Sequence, residues 1–317
     1  MTIKPLQFSD LTTVPLSKRR QESDEADFAS PFHAGGSFAD FLASLPNLHV
    51  AATLFSLRDA IVSTHRRGRP VIVGLGGHVI DSGLSPLLVR LLEQRVVTGV
   101  VMTGAAMLQD VEIALAGHTL RCRDQELVEG RYCVTEETGR LINEAINFGV
   151  SEGWGFGQSV GQKLLDEEAP HRDHSILATA RRYHIPVTVH PAIGADAFNL
   201  HPLAHGESLG AAGMYDARLL AGMMAEATGA VVLNIASGAV VPRVLIQAVD
   251  AARNLGHRVE GMHCAVLDSN ANSAMVADVL GRLSQPGGQG YMLPGPDEMM
   301  VPLLFAAVLE ALGDDVA

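Results

Sequence analysis

The stretch PVIVGLGGHVIDSG, residues 70–83, predicts the first strand of the fold and the turn that follows it. Its first six residues form a continuous apolar run that ends in glycines, a pattern typical of a strand buried on both faces of a parallel sheet. Gly74, Gly76, Gly77 and Gly83 would let the backbone approach a phosphate at the start of a helix, where negative charge is favoured. The spacing is not that of GxGxxG, so a purely structural strand-to-helix turn is an equal alternative.

The same alternation of buried strands and helices continues along the chain. Four further apolar runs predict strands at residues 96–103, 185–190, 230–235 and 259–266. Helical patterns separate the strands and cover residues 54–64, 84–94, 108–116, 135–151, 215–227, 244–254 and 302–312. This order predicts an α/β fold, a Rossmann-like parallel sheet with helices on both faces. Residues 1–35 are polar and predict an N-terminal arm, and residues 36–317 predict a single α/β domain without a linker.

Composition limits the classes of partner. The 317 residues carry a formal net charge of -12, which argues against nucleic-acid binding. No apolar run approaches the roughly 18 residues that span a bilayer, and the first residues do not resemble a signal peptide. The three cysteines, Cys122, Cys133 and Cys264, follow neither a disulfide nor a zinc-finger spacing. We therefore expect a soluble cytoplasmic protein that binds a small molecule, with no nucleic-acid or membrane partner.

Ligands of such folds bind beyond the carboxyl ends of the strands. The candidate loops are residues 74–83, 104–110, 190–206, 236–243 and 267–273. The richest in polar residues is 190–206, where His190, Asp196, His201 and His205 could converge on a metal. Their spacing is irregular and lacks an HExxH pattern, so histidines that bind substrate or cap loops are the preferred interpretation.

Two later loops carry small or polar residues. NIASGAVVP, residues 234–242, offers Gly238 to a ligand backbone or phosphate, and Ser237 is not the nucleophile of a GxSxG elbow. Asp268, Asn270 and Asn272 follow the fifth strand, where ribose or amine recognition would be placed. A turn made of turn-forming residues is the alternative interpretation.

At these loops the chain resembles the deoxyhypusine synthase family over roughly residues 50–310, through the order of its motifs. The resembling segments are GHVIDSG (77–83), TGAA with Gln109 and Asp110 after it (103–110), PAIG followed by Asp196 (191–196), SGAVV followed by Arg243 (237–243), and the pairs Cys264-Ala265 and Leu267-Asp268. The resemblance implies a Rossmann-like homotetramer that binds NAD.

The chain departs from that family at the lysine on which the family forms an imine. Leu280-Gly281-Arg282 stands where the family has a Trp-Gly-Lys sequence. Arginine keeps its proton and cannot act as the amine nucleophile of a Schiff base. The lysines of the chain are Lys4, Lys18 and Lys163, and none lies at a predicted strand end. Gln109 and His201 also replace acidic residues that hold polyamine nitrogens in the family. The resemblance therefore implies that the chain has the scaffold of this family but does not transfer an aminobutyl group through a lysine imine, as the family does.

The resulting expectation is an NAD-dependent enzyme, transferase- or oxidoreductase-like, that oxidises a small amine or alcohol without a lysine imine. His201 or His205 would be the general base, and Asp196 and Arg243 complete the predicted catalytic set. The predicted NAD contacts are Gly77, His78, Asp81, Thr103, Gly104, Ala105, Gly238 and Asp268. The alternatives are a metal-assisted hydrolase or lyase that uses residues 190–205 and a non-catalytic ligand-binding protein.

Overall fold

The computed structural model describes residues 3–20, 22–120, 124–131, 135–269 and 274–313, without the side chains of residues 274–277. Its contacts divide the chain into two compact units, Met1–Ala52 and Thr53–Ala317. The division after residue 35 stays a prediction. Cys122, Cys133, Asn270 and Asn272 lie outside the described residues.

The first unit contains little regular structure. Its described part includes two 3-10 turns, Leu16–Lys18 and Glu25–Asp27, and the helix α1 (Phe38–Ser44). A capping box starts α1: the Ser37 hydroxyl accepts from the Asp40 N–H at 3.1 Å, and the Asp40 carboxylate accepts from the Ser37 N–H at 2.8 Å. These two bonds use donors that a helix start otherwise leaves without partners.

The second unit is built on a parallel sheet that has six strands within the described residues. The strands are β1 (Val71–Leu75), β2 (Gly99–Thr103), β3 (Val187–His190), β4 (Val231–Ile235), β5 (His263–Leu267) and β6 (Gly290–Leu293). Their order is β3-β2-β1-β4-β5-β6, and every neighbouring pair is parallel. This is the doubly wound Rossmann order, and it confirms the predicted fold class.

Helices cover both faces of this sheet. The helices after α1 are α2 (His49–Arg66), α3 (Gly77–Asp81), α4 (Ser85–Glu93), α5 (Gly104–Ala116), α6 (Asp124–Val128), α7 (Glu136–Ser151), α8 (Phe156–Asp166), α9 (Ile176–Arg182), α10 (Gly206–Ala225), α11 (Val240–Asn254), α12 (Ala274–Leu283) and α13 (Asp297–Leu312), of which α6 has no buried residue. Every residue of β1 and β4 is buried, as strands covered on both faces require. On one face, α10, α11 and α12 pack against Ile72, Val101, Val232 and Val266.

The helix and strand bounds differ from the predicted ones at two informative places. The strand β6 was not predicted, because four residues flanked by glycines form too short an apolar run. The helix α10 begins at Gly206 and not at residue 215. Its glycines lower helix propensity, but Leu209 and Ala212 are buried, so packing overrides that preference. Within the described residues, no helix is both long and apolar enough to cross a membrane.

Candidate functional site

The strand order places a crevice between the carboxyl ends of β1 and β4, the strands from which the two halves of the sheet diverge. The two strand ends are joined beyond the regular ladder, since the Gly76 N–H donates to the Ile235 carbonyl at 3.0 Å. A Cβ atom on Gly76 would stand 1.8 Å from the Ala236 carbonyl oxygen. Ala236 itself has φ of 49°, a left-handed conformation that costs energy for a residue with a side chain. Backbone alone therefore fills the floor of the crevice.

Gly238 lies at the open side of the same crevice. It is exposed, and a Cβ atom built on it would meet no atom within 4 Å. The helix α11 starts two residues later, and Ala239 at its N-cap provides no side-chain cap. The Ser237 hydroxyl accepts from the Val241 N–H at 3.3 Å. Pro242 has no N–H, so the Val240 N–H is the donor of the first three helical residues that is left to face an anion, which the helix dipole also favours.

Arg243 lies on the first turns of α11 and is exposed. It therefore shares the start of this helix with Gly238. A guanidinium binds phosphate oxygens well because its planar N–H groups match their geometry. The structure thus brings two of the predicted site residues together, one predicted as catalytic and one as a cofactor contact.

The residues of α3 make contacts within the chain. A Cβ atom on Gly77 would stand 2.9 Å from Gln109 Oε1 and 3.3 Å from Ala105 Cβ, so this glycine permits α3 to pack against α5. The exposed Asp81 accepts a hydrogen bond from the Thr119 hydroxyl at 3.0 Å. The exposed His78 has its Nε2 atom 3.3 Å from the Ser82 hydroxyl. Packing between helices is thus a sufficient reason for glycine at position 77.

The end of β2 is occupied by a carboxylate of the chain itself. Thr103 caps α5 by accepting from the Ala106 N–H at 3.1 Å. A Cβ atom on Gly104 would stand 2.1 Å from Asp196 Oδ2, so the Asp196 carboxylate lies directly on this glycine. The same oxygen accepts from the Ala192 N–H at 2.7 Å, and burial raises the pKa of Asp196. Asp196 therefore anchors the loop after β3, beside the predicted contacts Thr103 and Gly104.

The histidines of that loop do not converge. His201 is 5 % exposed and lies against Gly139 of α7; its Nδ1 accepts from the Leu203 N–H at 3.2 Å. Its Nε2 has no hydrogen bond within the described residues, but it lies 3.5 Å from a Glu136 carboxylate oxygen. His205 is exposed at the N-cap of α10.

His190 ends β3 and pairs with Thr103 of β2. Its Nε2 is 3.1 Å from the Thr188 hydroxyl, and burial lowers its pKa to about 4. Within the described residues, no group of three histidine, cysteine, aspartate or glutamate side chains is arranged to hold a metal ion. The geometry consequently offers no support for the metal-assisted alternative.

Two acidic residues meet beyond β5 and β6. Asp268 follows β5, as predicted, and Asp297 is the first residue of α13, after β6. Asp297 is 2 % exposed, and its Oδ1 has no hydrogen-bond partner within the described residues. Burial and the neighbouring Asp268 charge raise the pKa of Asp297 to about 6, and His78 opposes the rise. Sequence reasoning missed Asp297 because it missed β6; an acidic residue at the start of the helix that follows a strand would have been the signal.

Other candidate groups have structural roles. Asp110 is fully buried and caps α9, since it accepts from the Ser175 hydroxyl at 2.6 Å and from the Ile176 and Leu177 N–H groups at 2.8 and 3.1 Å. Lys163 is paired with Glu167 at 2.9 Å and with Glu144 at 3.2 Å. Its hydrogen bond to Glu167 raises its pKa, so it stays an ammonium and not a nucleophile.

Arg282, at the position compared with the family's lysine, lies on the exposed side of α12. Its Nε is 3.4 Å from an Asp278 carboxylate oxygen. Cys264 is a buried free thiol on β5, and burial raises its pKa to about 12. Neither group supplies a reactive amine or thiolate.

Comparison with solved structures shows the fold. The chain is similar to a proposed deoxyhypusine synthase from Entamoeba histolytica, with a TM-score of 0.53, 13 % identity, and coverage of 88 % of this chain and 95 % of that one. It is also similar to AgrE in its ternary complex with ornithine and NAD+, with a TM-score of 0.55, 17 % identity and coverage of 84 % and 34 %. A third similar structure is a conserved LOR/SDH protein from Methanococcus maripaludis S2, with a TM-score of 0.51, 15 % identity and coverage of 83 % and 69 %.

The shared length differs among these proteins. The chain spans about a third of the length of AgrE and of the cyanobacterial arginine dihydrolase ArgZ, of which it covers 31 %. No family model matches the chain, and no curated protein matches it. At these low sequence identities, the structural similarity shows a common fold for the sheet and its helices and nothing further.

Proposed function

We propose that the chain is an NAD-dependent enzyme that oxidises a small amine, or an alcohol, without forming an imine on a lysine. The observation that carries this proposal is the crevice between the ends of β1 and β4. Gly76 and Ala236 close its floor with backbone, and Gly238 leaves its open side without side chains at the start of α11. Such a crevice is where open α/β sheets bind dinucleotides.

The residues present fit the cofactor. The pyrophosphate would lie at the start of α11 over Gly238, near the Val240 N–H, and the Arg243 guanidinium would bind its oxygens. His78 lies in α3, directly after β1, where it would bind a hydroxyl of the cofactor. NAD, when bound, supplies the hydride acceptor of the reaction. AgrE, which shares this fold, was solved with ornithine and NAD+, and this supports an amine over an alcohol as substrate.

The chain's own side chains limit the mechanism to proton transfer and binding. Lys163 is held in two ion pairs, and Arg282 keeps its proton, so neither can form a Schiff base. Of the two histidines predicted as general base, His205 is exposed and accessible to a substrate, whereas His201 is enclosed. A base must take a proton from an ammonium before the carbon next to it can lose hydride.

The test is to follow reduction of NAD by absorbance after adding small primary amines, basic amino acids or matching alcohols. The proposal expects reduction with at least one compound of the amine class, and a decrease of tenfold or more for His205→Gln. Binding of NAD without reduction by any compound of these classes would favour the non-catalytic alternative.

A further inference from the structure

A buried carboxylate oxygen without a partner needs an explanation, because an unsatisfied charged group away from water is unfavourable. Asp297 is 2 % exposed, and its Oδ1 accepts no hydrogen bond from any described residue. Other buried carboxylates of the chain are bonded differently. Asp110 accepts from a hydroxyl and two backbone N–H groups, and Asp216 accepts from the Phe156 and Val189 N–H groups. Those bonds assign Asp110 and Asp216 to the scaffold. Asp216 Oδ1 also lacks a partner within the described residues, but Asp216 Oδ2 holds two N–H groups, whereas Asp297 makes no hydrogen bond of this kind through Oδ1.

The neighbours of Asp297 make its environment more negative. Asp268 is close enough to raise the pKa of Asp297, and Glu298 adds to the same effect. His78 is the one group that acts in the opposite direction among the interactions resolved for Asp297. A cation bound at Asp297 would offset the effect of these neighbouring carboxylates on its charge, whereas a neutral hydroxyl would leave that repulsion in place.

Asp268 and Asp297 lie at the same edge of the sheet as the proposed cofactor crevice. Asp268 follows β5, and Asp297 follows β6, so both lie at the carboxyl edge of the sheet, on the β4-β5-β6 side of the crevice. His78, from the first turn of α3 after β1, reaches the same region. Two other acidic residues near strand ends hold parts of the scaffold: Asp196 holds its own loop, and Asp110 caps α9.

We propose that Asp297 and Asp268 form a subsite for a primary ammonium group, with Asp297 Oδ1 as a direct acceptor. This inference rests on the proposed function in one respect: the ammonium group is taken to be part of the substrate. It places an ammonium group of the substrate over β5 and β6, on the other side of the cofactor crevice from His205, so this group anchors the substrate and is not the one that His205 deprotonates.

A structural role for Asp297 at the start of α13 and a ligand-binding role predict opposite effects of Asp297→Asn on the stability of the free protein. If Asp297 served only to complement the dipole of α13, Asp297→Asn would lower the melting temperature of the free protein. If it is kept for a ligand, Asp297→Asn removes an uncompensated buried charge, and the free protein melts at the same or a higher temperature.

The test uses n-butylamine, which is an ammonium ion at neutral pH, and n-butanol as its uncharged counterpart, at constant ionic strength. Thermal shift and calorimetry are run on the full chain with and without saturating NAD. The expected result is saturable binding of butylamine and none of butanol to the wild type, with at least tenfold weaker butylamine binding for Asp297→Asn and Asp268→Asn. Glu298→Gln is the matched control, since it removes the same charge at the adjacent exposed residue and should bind butylamine as the wild type does.

Three results would overturn the subsite: no butylamine binding to the wild type in either condition, unchanged binding to Asp297→Asn, or an equal loss in Glu298→Gln. If Asp297→Asn does not fold, Asp268→Asn decides by the same criterion. NAD binding is measured separately in each protein. A wild type that binds butylamine but not NAD would contradict the proposed function and leave the ammonium subsite supported.

Discussion

Gly76 and Ala236 approach each other so closely that position 76 has no room for a side chain. A Cβ atom on Gly76 would stand 1.8 Å from the Ala236 carbonyl oxygen, far inside van der Waals contact. Ala236 is held in a left-handed conformation at the same point. The contact fixes the ends of β1 and β4 against one another, and with them the floor of the proposed cofactor crevice.

Gly76→Ala should therefore destabilise the protein by roughly 3 kcal/mol or more, because backbone atoms and not a flexible side chain must move. Urea denaturation followed by circular dichroism measures this change. Gly238→Ala is the matched control, since its Cβ atom would meet nothing within 4 Å. A Gly76→Ala protein as stable as the control would contradict the observed contact.

Asp216 should make stability depend on pH. It is fully buried in α10, and burial raises its pKa to about 7. In the unfolded chain the carboxyl group has an ordinary pKa of about 4, so between these values the folded state binds the extra proton. Stability then falls as pH rises from about 4 through about 7, by on the order of a few kcal/mol.

Asp216→Asn cannot release that proton and should lose much less stability between pH 5 and pH 8 than the wild type. The denaturation midpoints of both proteins at the two pH values decide the matter. Asp250→Asn, at an exposed position of α11, is the control and should follow the wild type. An identical pH dependence in wild type and Asp216→Asn would show that Asp216 is not the titrating group.

The chain should not make deoxyhypusine. Lys163 is paired with two glutamates, which keep it protonated, and Arg282 cannot replace a lysine nucleophile. Incubation with NAD, spermidine and the protein acceptor, followed by borohydride and mass spectrometry, should give neither a spermidine adduct on this chain nor a modified acceptor. An adduct on the wild-type chain would refute this account of the missing nucleophile.

A homo-oligomer, of which the family resemblance implies a tetramer, is also expected. Phe148 and Met214 are 62 % and 56 % exposed in the second unit, and apolar clefts lined by Trp154 and Tyr215 lie beside them. Exposed apolar surface of this kind is typical of an interface. Light scattering should show an oligomer for the wild type and a smaller species for Phe148→Glu. Leu255→Glu, at another exposed apolar position, should leave the mass unchanged, and a monomeric wild type would contradict the expectation.

The strands near the crevice were predictable because burial on both faces gives them continuous apolar sequences. β1 and β4 were predicted to within one residue at their amino ends. β6 was not, because its four residues next to glycine carry too little pattern. That omission also concealed Asp297, which is identifiable as a strand-end residue only once β6 is known.

The roles of several polar residues could not follow from sequence because they depend on tertiary contacts. Asp196 was predicted as catalytic, yet its carboxylate lies on Gly104, which is 92 positions earlier in the chain. Asp110, which follows the TGAA motif, caps a helix that begins at Ile176. The spacing of residues along the chain does not predict such tertiary partners, whereas the glycines of the crevice can be recognised from the sequence because they follow a buried strand.

The most direct test of the central claim is calorimetric titration of NAD into the wild type, Gly238→Val and Gly222→Val. Both substitutions add a side chain where a Cβ atom would meet nothing within 4 Å, and Gly222 lies on α10, away from the α11 start. The account predicts saturable NAD binding to the wild type and Gly222→Val, and at least tenfold weaker binding to Gly238→Val with unchanged stability. No heat with NAD or NADP for the wild type, or equal affinity in all three proteins, would contradict a dinucleotide site in the crevice between β1 and β4.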